Sequence, residues 1–186
     1  QELDVGDAVK KEPRIECGAT GGPGPGGDDN CDGQAHDMTN PILEFQGEFR
    51  WLSNFWPVQI LSEGRVYPSV ENAYPAAKAH PSQRWVFTQC SPGESKRLGR
   101  KIKLHADWES QKLHVMRTLV NDKFMVGTEL AHRLIATGNV HIEEGNRWGD
   151  RYWGVCRGDG LNNLGKLIME RRQFLITNTP PWMLNK

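Results

Sequence analysis

The placement of the aromatic residues sets the outer limit on what this chain can fold into. Every tryptophan, tyrosine and phenylalanine stands at or after Phe45 in a chain of 186 residues. The first 40 residues hold 8 of the 20 glycines, with Gly21-Gly22-Pro23-Gly24-Pro25-Gly26-Gly27 among them, and only Leu3, Val5, Val9 and Ile15 from the larger aliphatic types. Such a segment cannot bury enough apolar area to offset the entropy of ordering it. Residues 1–40 are therefore expected to form a disordered Gly/Pro-rich tail, and residues 41–186 one folded domain, long enough for a sizeable core. The chain opens on Gln1, which suits a processed or artificial leader with Met38-Thr39-Asn40 as the start of the folded unit.

Charge divides at the same place. The whole chain has 23 basic and 23 acidic side chains, a formal net of zero. Residues 1–40 carry 3 basic and 9 acidic ones, so the domain keeps 20 basic against 14 acidic, a net of +6 beside a tail of -6. A basic domain suits an anionic ligand such as a phosphate, a dinucleotide or nucleic acid. No apolar run approaches the ~20 residues that cross a bilayer, and no basic-then-apolar leader opens the chain, so neither a membrane partner nor secretion is expected. Cys17, Cys31, Cys90 and Cys156 are widely and unevenly spaced without a CxxC pair. That pattern fits a reduced, cytoplasmic protein better than a disulfide framework or a zinc module.

Within the domain, Phe45 to Tyr67 reads as short extended pieces, with Val58–Leu61 and Arg65–Tyr67 flanking a Ser62-Glu63-Gly64 hairpin turn. Ser69 is a helix N-cap with Glu71 in the first turn, and Ser91-Pro92-Gly93-Glu94 is a capping box opening a helix that stops near Gly99. Asp107 is expected to cap the longest helix, followed by a helix over Thr128 to Thr137 that Gly138 closes. A short strand at Val140–Ile142, a Gly/Trp-rich loop from Glu144 to Gly160 and a last helix with an apolar face of Leu164, Leu167, Ile168 and Leu175 complete the chain. A hairpin followed by helices indicates α+β: a compact, mostly helical domain with a small antiparallel sheet.

Several patterns carry candidate chemistry. His141-Ile142-Glu143 has the H-x-E spacing of zinc deaminases, but the matching P-C-x-x-C is missing, and a solvent-facing histidine is the simpler reading. Gly158-Asp159-Gly160 lacks the third glycine of a dinucleotide fingerprint, since position 163 is Asn163; it reads either as a phosphate-binding loop at a helix start or as a plain helix-entry turn. Lys96, Arg97, Arg100, Lys101 and Lys103 form a basic cluster that reads first as a solvated face. In the loop Glu144 to Gly154, Trp148, Tyr152 and Trp153 stand among glycines and carboxylates. They form either a pocket for a flat base attached to a sugar or a packed structural loop. Glu71 alone is a helix-start carboxylate; paired in space with Asp150, it could do acid/base work on a glycosidic bond.

Taken together, Phe49-Arg50-Trp51-Leu52-Ser53-Asn54-Phe55, Tyr67-Pro68-Ser69-Val70-Glu71-Asn72-Ala73-Tyr74 with Ala76 and Lys78, Lys96-Arg97-Leu98-Gly99-Arg100, Asp107-Trp108-Glu109, Lys123-Phe124, Glu143-Glu144-Gly145-Asn146, Trp148-Gly149-Asp150, Trp153-Gly154-Val155 and Asn162-Asn163-Leu164-Gly165 resemble, in order and over about 45–175, the motifs of the NADAR (YbiA-like) family. The resemblance implies an N-glycosidase that hydrolyses the bond between a ribose and an amino group. Its substrate would be a phosphoribosylated or ADP-ribosylated small molecule, as among phosphoribosylamino intermediates of riboflavin synthesis, or ADP-ribosylated guanine in nucleic acid. It implies Glu71, Asp150 and Trp108 as catalytic residues, Asn54, Phe55, Lys78, Lys96, Glu144, Trp148, Trp153 and Asn162 as ligand contacts, and neither metal nor cofactor.

One position departs from the family pattern: Pro75 follows Tyr74, where a helix former is usual. Proline removes the hydrogen bond to the carbonyl four residues back, which is that of Glu71, and is expected to disturb that turn. This departure motivates an alternative from another class, a module that binds ADP-ribose or a nucleotide without turnover.

Overall fold

Two helices each bury an apolar stripe that carries a cation. In one, Met116, Leu119, Val120 and Lys123 recur at helical spacing and are all buried; in the other, Leu164, Leu167, Ile168, Arg172 and Leu175 do the same. A computed structural model describes residues 40–104, 106–180 and 182. The expected tail, Asn40 apart, lies outside them. The elements, in chain order, are β1 (Ile60–Ser62), β2 (Arg65–Tyr67), α1 (Val70–Lys78), α2 (Val86–Gln89), α3 (Pro92–Gly99), α4 (Trp108–Lys123), α5 (Glu129–Ala136), β3 (Gly145–Asn146), β4 (Val155–Cys156) and α6 (Asn163–Asn178), with 3-10 turns at Gly47–Leu52 and Pro81–Gln83. Helix α6 packs on α4 and α5, and α1 packs on α3 and α4. Among the described residues no helix is long and apolar enough to cross a membrane.

The α+β expectation holds. Strands β1 and β2 pair antiparallel, Ile60 opposite Tyr67, across a two-residue turn in which Glu63 and Gly64 both have positive φ, at 48° and 72°. That turn suits the right-handed twist of a hairpin. Ser69 caps α1 by accepting from Asn72 N, and Ser91 with Glu94 forms the reciprocal capping box of α3. Thr128 caps α5, and Gly138, at φ 58°, follows its end.

Four local expectations are corrected. The Phe45–Leu52 segment contains a 3-10 turn, because Trp51 and Leu52 are neighbours and both are buried, which an alternating strand cannot do. Val140–Ile142 makes one parallel bridge, between Ile142 and Ile42, and no strand. The Glu144–Gly160 loop contains the short parallel pair β3–β4. Asp107 precedes α4 without a side-chain cap bond, offering its carbonyl to Ser110 and Gln111 instead, and α4 and α6 are equal at 16 residues each.

The two buried cations tie loops to the core. Lys123 Nζ donates to the carbonyls of Leu52 at 2.9 Å and Ser53 at 2.7 Å. Arg172 donates to Thr137 Oγ1 and to the Val140 carbonyl, both at 2.8 Å. Burial pushes the Lys123 ammonium well below its ordinary pKa. Its two carbonyl partners match what a lysine amine can donate in either protonation state. The Leu52–Ser53 peptide thus held leads directly into Asn54 and Phe55.

Candidate active site

Helix α1 has two faces because its apolar and functional residues run in separate registers. Val70, Ala73 and Ala76 enter the core, while Glu71, Tyr74, Pro75 and Lys78, at i, i+3, i+4 and i+7, line a cavity of about 720 Å³. The helix is continuous from Val70 to Lys78, Pro75 included. Buried Asn72 fixes its rotation by donating to the carbonyls of Phe87 at 3.0 Å and Cys90 at 2.8 Å. Helix α3 contributes Lys96 and Gly99 to the same cavity, and its C-cap Arg100 follows, again at i, i+3 and i+4.

The opposite wall is the loop from Glu144 to Trp153. Asn146 closes it, its Nδ2 donating to the Asp150 carbonyl at 2.7 Å while its Oδ1 accepts from Asp150 N at 3.1 Å. Asp150 Oδ1 accepts from the backbone N–H groups of Tyr152 at 3.0 Å and Trp153 at 2.9 Å, which leaves Oδ2 for the cavity. A Cβ at Gly154 would collide with the Glu144 carbonyl oxygen, so only glycine lets the loop return this tightly. Asn162, in the left-handed region at φ 50°, accepts from Glu144 N at 3.1 Å and donates to the Ile142 carbonyl at 2.9 Å.

Three carboxylates, Glu71, Glu144 and Asp150, share the cavity with Arg50, Lys78, Lys96 and Arg100. Burial pushes Glu71 up to about 7, with Lys96, Lys78 and Arg100 pulling it down and Asp150 raising it. Burial also pushes Glu144 up to about 8, reinforced by the charges of Asp150 and Glu71 and opposed by Lys96. Glu144 Oε2 is buried and has no hydrogen-bond partner among the described residues. Lys78 is shifted down, chiefly by burial. Lys96 Nζ lies 5.2 Å from the Phe55 ring centre and 5.5 Å from that of Trp148, forming a cationic and aromatic rim. Trp148, 61% exposed, is no core residue; Trp153 is half-buried, its ring edge-on to Tyr74 at 5.5 Å.

Nine of the residues singled out from sequence line this one cavity: Glu71, Asp150, Asn54, Phe55, Lys78, Lys96, Glu144, Trp148 and Trp153. Two do not. Trp108 is 3% exposed and stands behind the wall, 5.3 Å from the Tyr74 ring and 5.6 Å from Lys78 Nζ, so it backs the residues that face the cavity. Asn162 is buried and accepts from the Glu144 backbone.

The family model described as the NADAR domain matches residues 44–176. The chain belongs to the NADAR family. It is 33% identical over 150 residues to the N-glycosidase YbiA of Escherichia coli K12, covering 75% of this chain and 92% of that protein. It is 32% identical over 156 residues to a riboflavin biosynthesis protein of Vibrio vulnificus strain YJ016, covering 80% of this chain and 42% of that protein. The chain thus spans less than half the length of the Vibrio protein. The NMR structure of E. coli YbiA superposes with a TM-score of 0.67 at 31% identity, over 77% of this chain and 90% of that one.

Other cavity residues of this NADAR domain, Arg50, Tyr74, Met116 and Arg100 among them, were not singled out as site residues. Tyr74 and Arg100 had a usable signal, since Tyr74 follows Glu71 by three and Arg100 follows Lys96 by four. Arg97, Lys101 and Lys103 of the basic cluster are exposed and lie off this cavity. The Gly158–Gly160 segment is a closed turn in which Cys156 and Asp159 exchange backbone hydrogen bonds, which matches the helix-entry reading. His141 and Glu143 pair at 3.6 Å, and among the described residues no cluster of three His, Cys, Asp or Glu side chains forms a metal site.

Proposed function

We propose that this chain is an N-glycosidase that hydrolyses the bond between C1 of a phosphate-bearing ribose and an amino group on a heterocyclic base. The observation that carries the reading is the convergence of Glu71, Glu144 and Asp150 in one cavity rimmed by cations and tryptophans. The similarity to the N-glycosidase YbiA supports the reaction type, and that to the Vibrio riboflavin biosynthesis protein supports a substrate from that pathway, for which we take a phosphoribosylamino compound. The ADP-ribosyl alternative differs at the phosphate side, where Lys96 and Arg100 would meet a second phosphate.

In the proposed reaction the C1–N bond breaks with its electron pair going to nitrogen. Protonated Glu144 gives its proton to that nitrogen, which leaves as the free amine. Positive charge builds at C1 and the ring oxygen and is met by the Asp150 carboxylate. A water then bonds to C1 while Glu71 takes its proton, so the products are the amine and the ribosyl hydroxyl. Trp148 and Trp153 offer faces for the base, and Lys96 with Arg100 offers charge to the phosphate. No step calls on a metal, so a chelator should leave the rate unchanged.

The base must be ionised and the acid protonated. Turnover should therefore rise as pH passes about 7, where Glu71 loses its proton, and fall as it passes about 8, where Glu144 does. A pH–rate profile of kcat/KM, which reports the groups of the free enzyme, tests this, and a profile flat from pH 6 to 9 would contradict the assignment. A binding module without turnover would be favoured by a broken turn at Pro75, and α1 runs continuously through that residue.

A further inference from the structure

Helix α1 has a proline on the cavity face, and the backbone consequence falls on Glu71. Pro75 has no N–H, so the Glu71 carbonyl lacks the α-helical partner four residues on. That oxygen accepts instead from Ser95 Oγ of α3, at 2.8 Å. Ser95 is fully buried, and its backbone N–H is already spent on the Ser91 carbonyl at 2.9 Å, so the hydroxyl is the group left to serve Glu71.

The packing that permits this is specific. A Cβ on Gly99 would lie 2.7 Å from Pro75 Cβ, so α3 approaches α1 closely only because residue 99 is glycine. Ser95 and Gly99 are one turn apart on α3, as Glu71 and Pro75 are on α1, and the two pairs stack across the contact. On its other side the Glu71 backbone N–H donates to the Asn54 carbonyl at 2.9 Å. The two peptide groups that flank the Glu71 Cα are thus each bonded to a group outside the helix.

We propose that Ser95 is a positioning residue for Glu71, supplying the hydrogen bond that Pro75 withholds and so fixing the first turn of α1 and the place of the carboxylate in the cavity. The role of Glu71 in turnover rests on the reading above; the structural coupling of Ser95, Pro75 and Glu71 does not. The test is a cycle of Ser95→Ala, Pro75→Ala and the double variant in the full chain, with Ser95→Thr as the variant that keeps the hydroxyl. Two readouts are taken: kcat and KM on a phosphoribosylamino-pyrimidine, and the titration of Glu71 followed by carboxyl carbon NMR.

Ser95→Ala is expected to lower kcat at least tenfold with KM within about twofold, and to shift the Glu71 titration by at least half a pH unit. Ser95→Thr should retain most of the activity. With Pro75→Ala already in place, a backbone N–H again serves the Glu71 carbonyl, so adding Ser95→Ala should change kcat and titration by less than about twofold and a tenth of a unit. Equal losses with and without Pro75→Ala would show ordinary packing and overturn the proposal, as would a Glu71 titration unmoved by Ser95→Ala. If the parent chain turns nothing over, the titration still decides the coupling, and only the catalytic reading fails.

Discussion

Glu71→Gln is expected to lower kcat by about a thousandfold or more, within or just above the range that general acid–base groups contribute. Glutamine keeps the length and packing of the side chain and cannot take a proton from water. The peptide of residue 71 stays anchored to Asn54 and Ser95, so the variant should fold and bind substrate within a few-fold of the parent. Single-turnover kinetics with a phosphoribosylamino-pyrimidine separate the two effects, since loss of binding would raise KM and leave kcat. A variant retaining a tenth of the parental kcat would remove Glu71 from the chemistry.

Glu144→Gln carries the largest expected effect on stability. Its carboxyl, raised to about 8 from 4.5, binds its proton more tightly in the folded chain. The stabilisation this gives is complete below the unfolded pKa and is lost as pH rises through about 8. With one pH unit worth about 1.4 kcal/mol, the loss between pH 5 and pH 9 is on the order of 3–5 kcal/mol. Glutamine mimics the protonated acid in shape and does not ionise. The variant should match the parent at pH 5 and exceed it at pH 9 by about 3 kcal/mol, or roughly 6–12 °C in Tm for a domain of this size. Thermal melts at the two pH values check this; a Tm difference that is the same at both would mean Glu144 is not held in its neutral form. Under the proposed mechanism the stabilised variant should also be slow, having lost its acid, a trade of stability against function.

How far the sequence revealed these features depended on whether local spacing or tertiary approach decided them. Glu71, Tyr74, Pro75 and Lys78 share a face by helical period alone, and Lys96 with Arg100 does the same, so two walls of the cavity were legible once the caps at Ser69 and Ser91 placed their helices. Glu144 and Asp150 reach the opposite wall through close backbone returns at Gly154 and the left-handed cap at Asn162, neither of which periodicity encodes. Trp108 opens α4 in a motif that reads as functional, but it is buried behind Tyr74. Lys123 occupies an apolar register, and nothing local announces that it ties down the carbonyls of Leu52 and Ser53. Pro75 predicted a damaged turn because the compensating hydroxyl lies 24 residues ahead, at Ser95.

Which bond is cut decides the reaction. Incubating the full chain with a phosphoribosylamino-pyrimidine, and in parallel with ADP-ribosylated guanine in a DNA strand, and analysing both products by mass spectrometry tests this most directly. The predicted result is ribose phosphate and free aminopyrimidine in equal amounts from the first substrate, or ADP-ribose and unmodified guanine from the second, at a rate that Glu71→Gln abolishes. Ammonia released with the ribosyl group still attached, or no release from either substrate, would contradict it.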